Sequence, residues 1–184
     1  MEIKTIGVIG AGPSGRAIAY LSALAGYRTI LEAVSQEFLE DGLISIRQLL
    51  DDGVKKSSVT PQQKIQALAN LSTSRSIEDV CREADLLIEA AQEEMEVKLE
   101  IFTLFDKFAK PAAILASSSP TISIEELAEI TFRTENCIGL RFRDPLTASG
   151  QLEIIRTAET SDATVEACRE VGKRMGRELV VRGI

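Results

Sequence analysis

The stretch Ile6-Gly7-Val8-Ile9-Gly10-Ala11-Gly12-Pro13-Ser14-Gly15 restricts the fold of this chain more than any other. Residues 5–9 are an apolar run of the kind that forms a strand buried on both faces. The run breaks into three glycines at G-x-G-x-x-G spacing, and helical periodicity follows over residues 17–25. That order of strand, turn and helix gives each glycine a physical task. Gly10 permits a tight turn, Gly12 lets the backbone approach a pyrophosphate, and Gly15 lets helix and strand pack closely. The helix N-terminus directs unpaired N–H groups and partial positive charge toward the same anion. Pro13 suits the first helical position, because its missing N–H would have no intrahelical partner there. The segment predicts a dinucleotide-binding turn at the head of a Rossmann-type fold, the alternative being a glycine-rich turn that has lost its ligand.

Downstream, Ala17, Ile18, Leu21, Leu24 and Ala25 form one helical face that stops at Gly26, and Thr29-Ile30-Leu31 is the second strand. A dinucleotide fold needs an acid at the end of this strand to hold the ribose hydroxyls. Counted from Gly15, that position falls nearest Ala33, and Glu32 stands one residue short of it. If the register is strict the acid is missing; if Glu32 turns inward it does the work. No Arg follows in the next several residues, so a 2′-phosphate has no partner and NAD is favoured over NADP.

A long helix over residues 36–52 carries Phe38, Leu39, Leu43, Ile46, Leu49 and Leu50 on one stripe, and Gly53 with Lys55-Lys56-Ser57-Ser58 breaks it. Thr60-Pro61-Gln62-Gln63 is a capping-box start for a short helix through Ile65, Leu68 and Leu71. The two form a helical hairpin inserted where a simple Rossmann fold has a single crossover helix. Beyond it, Ser76 caps a brief helix, residues 85–91 are a buried strand, and residues 94–108 are a helix. Residues 112–116 are a strand that ends in Ser117-Ser118-Ser119-Pro120. Ser123-Ile124-Glu125-Glu126 is a second capping box, opening a helix through Leu127 and Ile130. Strands over residues 138–142 and 152–155, a helix over 163–174 and a strand over 179–181 complete the chain. This alternation predicts an α/β fold, a doubly wound, mostly parallel sheet with its ligand at the carboxyl ends of the strands.

The 184 residues suffice for one domain with a sizeable core. A net charge of −7 with no basic run argues against nucleic acid as a partner. No apolar run approaches membrane-spanning length, and Met1-Glu2-Ile3-Lys4 leads directly into a strand. The expectation is a cytoplasmic protein without signal peptide or membrane partner. Cys81, Cys137 and Cys168 are odd in number and lack metal or C-x-x-C spacing, which predicts reduced core thiols and no metal site. Histidine is absent, which removes the commonest general base.

The whole chain resembles the N-terminal domain of the 3-hydroxyacyl-CoA dehydrogenase family, which includes 3-hydroxybutyryl-CoA dehydrogenases and the lambda-crystallin relatives. The resemblance runs through Gly10-x-Gly12-x-x-Gly15, the helical hairpin, and Ala84-Asp85-Leu86-Leu87-Ile88-Glu89-Ala90 with Glu93 and Lys98. It continues through Ala116-Ser117, Gly139-Leu140-x-Phe142 with Pro145, and Leu152-Glu153-Ile154-Ile155. It implies NAD as cofactor, with Glu93 and Lys98 beside it. The cofactor-binding candidates are Gly10, Gly12, Pro13, Ser14, Gly15, Glu32, Ala33, Ala90, Ala91, Glu93, Lys98 and Ser117. Acyl-CoA or a related hydroxy acid is the implied substrate, and a homodimer the implied assembly.

The family pattern also has departures here. The family places a catalytic His in Gly-x-His-Phe-Phe-Asn-Pro and a Glu twelve residues on; this chain reads Gly139-Leu140-Arg141-Phe142-Arg143-Asp144-Pro145, with the Glu kept as Glu153. A guanidinium with a pKa above about 12 is no base near neutral pH. The family's Ser-Asn-Thr-Ser becomes Ser117-Ser118-Ser119-Pro120, so the substrate-bonding hydroxyl is gone. The helical domain that follows in the family, supplying half of the acyl-CoA cleft, is not in this sequence, which ends Arg182-Gly183-Ile184. Arg141 and Glu153 remain as catalytic candidates, and the chain alone is expected to be weakly active or inactive. Two further expectations compete with this. One is a non-catalytic NAD-binding sensor or assembly module in which Arg141 and Glu153 form a structural ion pair. The other is an oxidoreductase for a different substrate, in which Arg141 clamps a carboxylate or phosphate.

Overall fold

A computed structural model describes residues 2–143 and 150–183. The chain runs β1 (Thr5–Ile9), α1 (Pro13–Leu24), β2 (Arg28–Glu32), α2 (Gln36–Lys55), α3 (Pro61–Asn70), β3 (Leu71–Ser74), α4 (Ile77–Glu83) and β4 (Leu86–Glu89). It continues α5 (Met95–Phe108), β5 (Ile114–Ser117), α6 (Ile124–Ala128), β6 (Cys137–Phe142), β7 (Gln151–Arg156), α7 (Asp162–Arg174) and β8 (Glu178–Gly183). The strands form one sheet in the order β3-β2-β1-β4-β5-β6-β7-β8. All neighbours are parallel except β6 and β7, which pair antiparallel with Arg141 opposite Glu153. Residues 143–150 are too few for the crossover that a parallel pair would need, in keeping with the antiparallel pairing.

Strand periodicity sends alternate residues to two different cores. Ile6, Val8 and Leu31 face one side with Ile18 and Leu21 of α1, Leu39, Ile46 and Leu50 of α2, and Cys168 and Val171 of α7. Ile9, Ile30, Leu87 and Leu115 face the other, against Val80 of α4, Phe102 and Phe105 of α5, and Leu127 of α6. The doubly wound sheet and its hairpin of α2 and α3 are those expected from the pattern. The Thr60 capping box forms as predicted, with the Thr60 side chain accepting from the Gln63 N–H and the Gln63 side chain from that of Thr60.

Four local expectations change. Gly53 does not break α2, which continues to Lys55; a Cβ at Gly53 would come within 2.7 Å of the Val59 side chain, so the glycine makes room for the returning chain. Leu71 belongs to β3, an edge strand of four residues paired to β2 that the sequence pattern did not reveal. Ser123 accepts from the Glu125 N–H and no reciprocal box forms, and α6 stops at Ala128, before Ile130. Strand β4 is confined to Leu86–Glu89, which leaves Ala90 and Ala91 in the loop at its carboxyl end. Cys81, Cys137 and Cys168 are free and buried. No helix of the described residues is long and apolar enough to cross a membrane.

Candidate functional site

The sheet brings the carboxyl ends of β2, β1, β4, β5 and β6 to one edge, and the topology reverses between β1 and β4. Ligands in open α/β sheets bind at such a switch point. The three glycines meet three different constraints there. Gly10 has φ +107°, and a Cβ on it would lie 2.7 Å from the Ala90 carbonyl oxygen. Gly15 packs against the same turn, where a Cβ would fall 1.8 Å from the Gly10 carbonyl oxygen. At Gly12 a Cβ would meet nothing within 4 Å.

Gly12 is also the N-cap of α1, with no side-chain cap and no acid in the first turn formed by Pro13 and Ser14. The first-turn N–H groups of a helix have no intrahelical partners, so this end presents free donors beside open space. That combination fits a dinucleotide pyrophosphate. The Gly10 N–H donates to the Glu32 carbonyl at 3.0 Å, and the Ala90 N–H to the Ile9 carbonyl at 2.8 Å. The turn is thereby tied to Glu32 and Ala33 on one side and to Ala90 and Ala91 on the other.

Glu32, the last residue of β2, and Ala33, just beyond it, fall on opposite faces. Ala33 joins the core under α1 and α2. Glu32 shares the face of Ile30 and is 3% exposed. Burial alone pushes its carboxyl up to about 7, with no hydrogen bond or ion pair opposing the shift.

Beyond β4 lies a buried ionic cluster. Lys98 of α5, 1% exposed, sends Nζ to Glu89 Oε1 at 2.7 Å and to Glu93 Oε2 at 3.2 Å. The remaining capacity of Glu89, itself fully buried, accepts the Ala91 N–H at 2.7 Å and the Ser117 hydroxyl at 2.7 Å. Glu93 accepts hydroxyl hydrogen bonds from Ser119 and Thr121. Burial raises the Glu93 carboxyl, but those hydroxyls and the Lys98 ammonium outweigh it and bring it down to about 2. The structure therefore gathers Ala91, Glu93, Lys98 and Ser117 into one unit. Glu89, Ser119 and Thr121 belong to that unit as well. In the sequence Glu89 is only a charged residue inside the predicted buried strand of residues 85–91, where a carboxylate requires a partner.

At the end of β6, the Arg141 Nε–H donates to the Ser119 carbonyl at 2.8 Å. The expected ion pair between Arg141 and Glu153 does not form. Glu153 is held by Arg143 at 2.8 Å and by Arg182 at 3.4 Å. The Arg143 hydrogen bond, opposed by burial and aided by the charges of Arg143, Arg182 and Arg141, keeps the Glu153 carboxyl below its ordinary value. Arg141 and Glu153 oppose each other in the ladder and share a face, but Arg143, two residues on, and Arg182 from β8 take the carboxylate, while Arg141 turns to the Ser119 carbonyl. Asp144 and Pro145 lie outside the described residues. No group of three or more His, Cys, Asp or Glu that could hold a metal occurs among the described residues.

The family model for the 3-hydroxyacyl-CoA dehydrogenase NAD-binding domain matches residues 5–183. The chain belongs to this family. It is an NAD-binding Rossmann domain. It is similar to a 3-hydroxybutyryl-CoA dehydrogenase of Bradyrhizobium diazoefficiens, 40% identical over 179 residues, covering 97% of this chain and 61% of that protein. A fatty acid oxidation complex subunit alpha of Idiomarina loihiensis is 34% identical over 98% of this chain and 25% of its own length. The crystal structure of (S)-3-hydroxybutyryl-CoA dehydrogenase from Ralstonia eutropha superposes with a TM-score of 0.94 at 32% identity, covering 99% of this chain and 64% of that one. The chain thus spans less than two thirds of the length of these relatives.

Proposed function

We propose that this domain binds NAD(H) at the Gly10–Gly15 turn, with Glu32 toward the adenosine ribose, but does not by itself catalyse 3-hydroxyacyl-CoA oxidation at a measurable rate. When bound, the nicotinamide supplies the carbon that accepts or releases hydride. Oxidising a 3-hydroxyacyl thioester also requires a group to take the hydroxyl proton, and a positioned base contributes about 10²–10⁴-fold.

The observation that carries this proposal is the state of the acids at the β5–β6 edge. Glu93 sits at about 2 and Glu153 is held low by arginines, so neither takes up a proton near neutral pH. Arg141 occupies the place where the resembled family has its imidazole, and a guanidinium does not give up a proton at reasonable cost. Glu32 has the right proton affinity at about 7, yet it lies four strands away, roughly 19 Å at about 4.8 Å per strand.

Calorimetric titration with NADH and NADPH, followed by an NADH absorbance assay with acetoacetyl-CoA, tests both halves. NADH should bind more tightly than NADPH, and acetoacetyl-CoA should cause no loss of absorbance above background. Tighter NADPH binding would overturn the first half. Steady turnover would overturn the second and make Glu153 the base to examine first.

A further inference from the structure

We propose that Arg141 is a substrate-recognition residue, and that the group it receives is the free carboxylate of a small hydroxy acid or oxo acid in place of a thioester carbonyl. The inference rests on the preceding one, in that a residue unable to act as base is free to act as an anion receptor. Four cations and three carboxylates meet at this edge: Lys98, Arg141, Arg143 and Arg182 with Glu89, Glu93 and Glu153. Lys98 is engaged by Glu89 and Glu93, and Arg143 and Arg182 share Glu153. Arg141 is the cation of the group that reaches no carboxylate within ion-pair distance among the described residues.

Its orientation is nonetheless set. The Nε–H bond to the Ser119 carbonyl anchors the base of the guanidinium at 2.8 Å, and the same Ser119 sends its hydroxyl to Glu93. Ser117 and Ser119 are buried, so the anchor is part of the rigid edge of the sheet. Arg141 itself is half-buried, and among the described residues only its Nε–H has a hydrogen-bond partner, so the two terminal nitrogens form a preset fork at the carboxyl end of β6. A planar carboxylate meets such a fork with two parallel charge-assisted hydrogen bonds; a thioester carbonyl offers one neutral acceptor. Glu153, directly across the ladder, would be the natural intramolecular partner, but Arg143 and Arg182 occupy it. In a chain of net charge −7, a cation without an ion pair among the described residues, held in place at a ligand edge, marks a site for an anion.

The test compares 3-hydroxybutyrate with its neutral amide, 3-hydroxybutyramide, titrated into the ¹⁵N-labelled NADH-loaded domain. The readouts are the Arg141 Nε–H resonance and the dissociation constants. The acid should shift that resonance and bind about tenfold more tightly than the amide at low salt, a difference that Arg141→Gln should erase. NADH affinity, measured separately, should be the same in the variant, which shows that it is folded. Equal affinities for acid and amide would overturn the proposal, as would an acid preference that survives in Arg141→Gln. Displacement of the acid by equimolar inorganic phosphate would overturn the assignment to carboxylates. None of these readouts involves turnover, so an active acetoacetyl-CoA assay would defeat the preceding proposal without deciding this one.

Discussion

Glu32 is a carboxylate that folding places in an unfavourable setting, and the consequence is measurable. Its folded pKa of about 7 lies above the ordinary 4.5, so the folded state holds the proton more tightly than the unfolded chain. Stability should fall as pH rises from about 4.5 to about 7 and then level off, a total on the order of 3 kcal/mol. Glu32→Gln should therefore be more stable than the parent at pH 8 and little different at pH 4.5, as read by denaturant unfolding at both values. The same substitution should weaken NADH binding by about 1–2 kcal/mol, the scale of hydrogen bonds to a charged acceptor. The glycines separate in the same manner. Gly12→Val should abolish NADH binding yet leave the thermal midpoint nearly unchanged, because its side chain enters open space where the pyrophosphate belongs. Gly15→Ala should lower the thermal midpoint steeply, because its methyl group would occupy the position of the Gly10 carbonyl. Equal effects of the two on stability would show that the turn is looser than described.

At the scale of elements, α5 is joined to β4 and β5 by one ammonium group. Lys98 bridges Glu89 at the end of β4 and Glu93 in the following loop, and Glu89 bonds Ser117 at the end of β5. Removing the cation alone leaves a buried carboxylate unpaired, which costs about 3–5 kcal/mol. Lys98→Met should show that loss in chemical denaturation, and the double variant Glu89→Gln with Lys98→Met should recover much of it. A double variant no more stable than the single one would mean that the charge pair is not the unit of stability. This unit was only partly legible in the chain, where the family resemblance implies a role for Glu93 and Lys98 and none for Glu89. Strand β3 was illegible for a related reason. Leu71-Ser72-Thr73-Ser74 is short, polar and lacks a continuous apolar face, and it becomes a strand through its ladder with β2.

For the molecule as a whole, the eight strands grade from a dry centre to wet edges. Every residue of β4 and β5 is buried, whereas β3 and β8 present half-buried and exposed residues throughout. Backbone amides should exchange with deuterium in that order, slowest in β1, β4 and β5 and fastest in β3 and β8. Hydrogen-exchange mass spectrometry reads this directly, and uniform protection across the sheet would contradict it. The cofactor edge spans both regimes, since Gly10 and Ala90 sit on the rigid centre while Arg141 lies on β6, toward the β8 side of the strand order.

The amino-acid sequence by itself determined the α/β class, the parallel core, the glycine turn, the helical hairpin and the capped start of α3. Each follows from local periodicity or from chemistry within a few residues, which neighbours in the chain decide. Tertiary structure alone decided which way Glu32 faces, which arginines take Glu153, and that Arg141 keeps its fork free. Those outcomes depend on strand alternation and on β8 returning beside β7, where Arg182 meets a carboxylate twenty-nine positions earlier in the chain. Charge partners are chosen by distance in space, and an eight-stranded sheet sets those distances only after every crossover has been made.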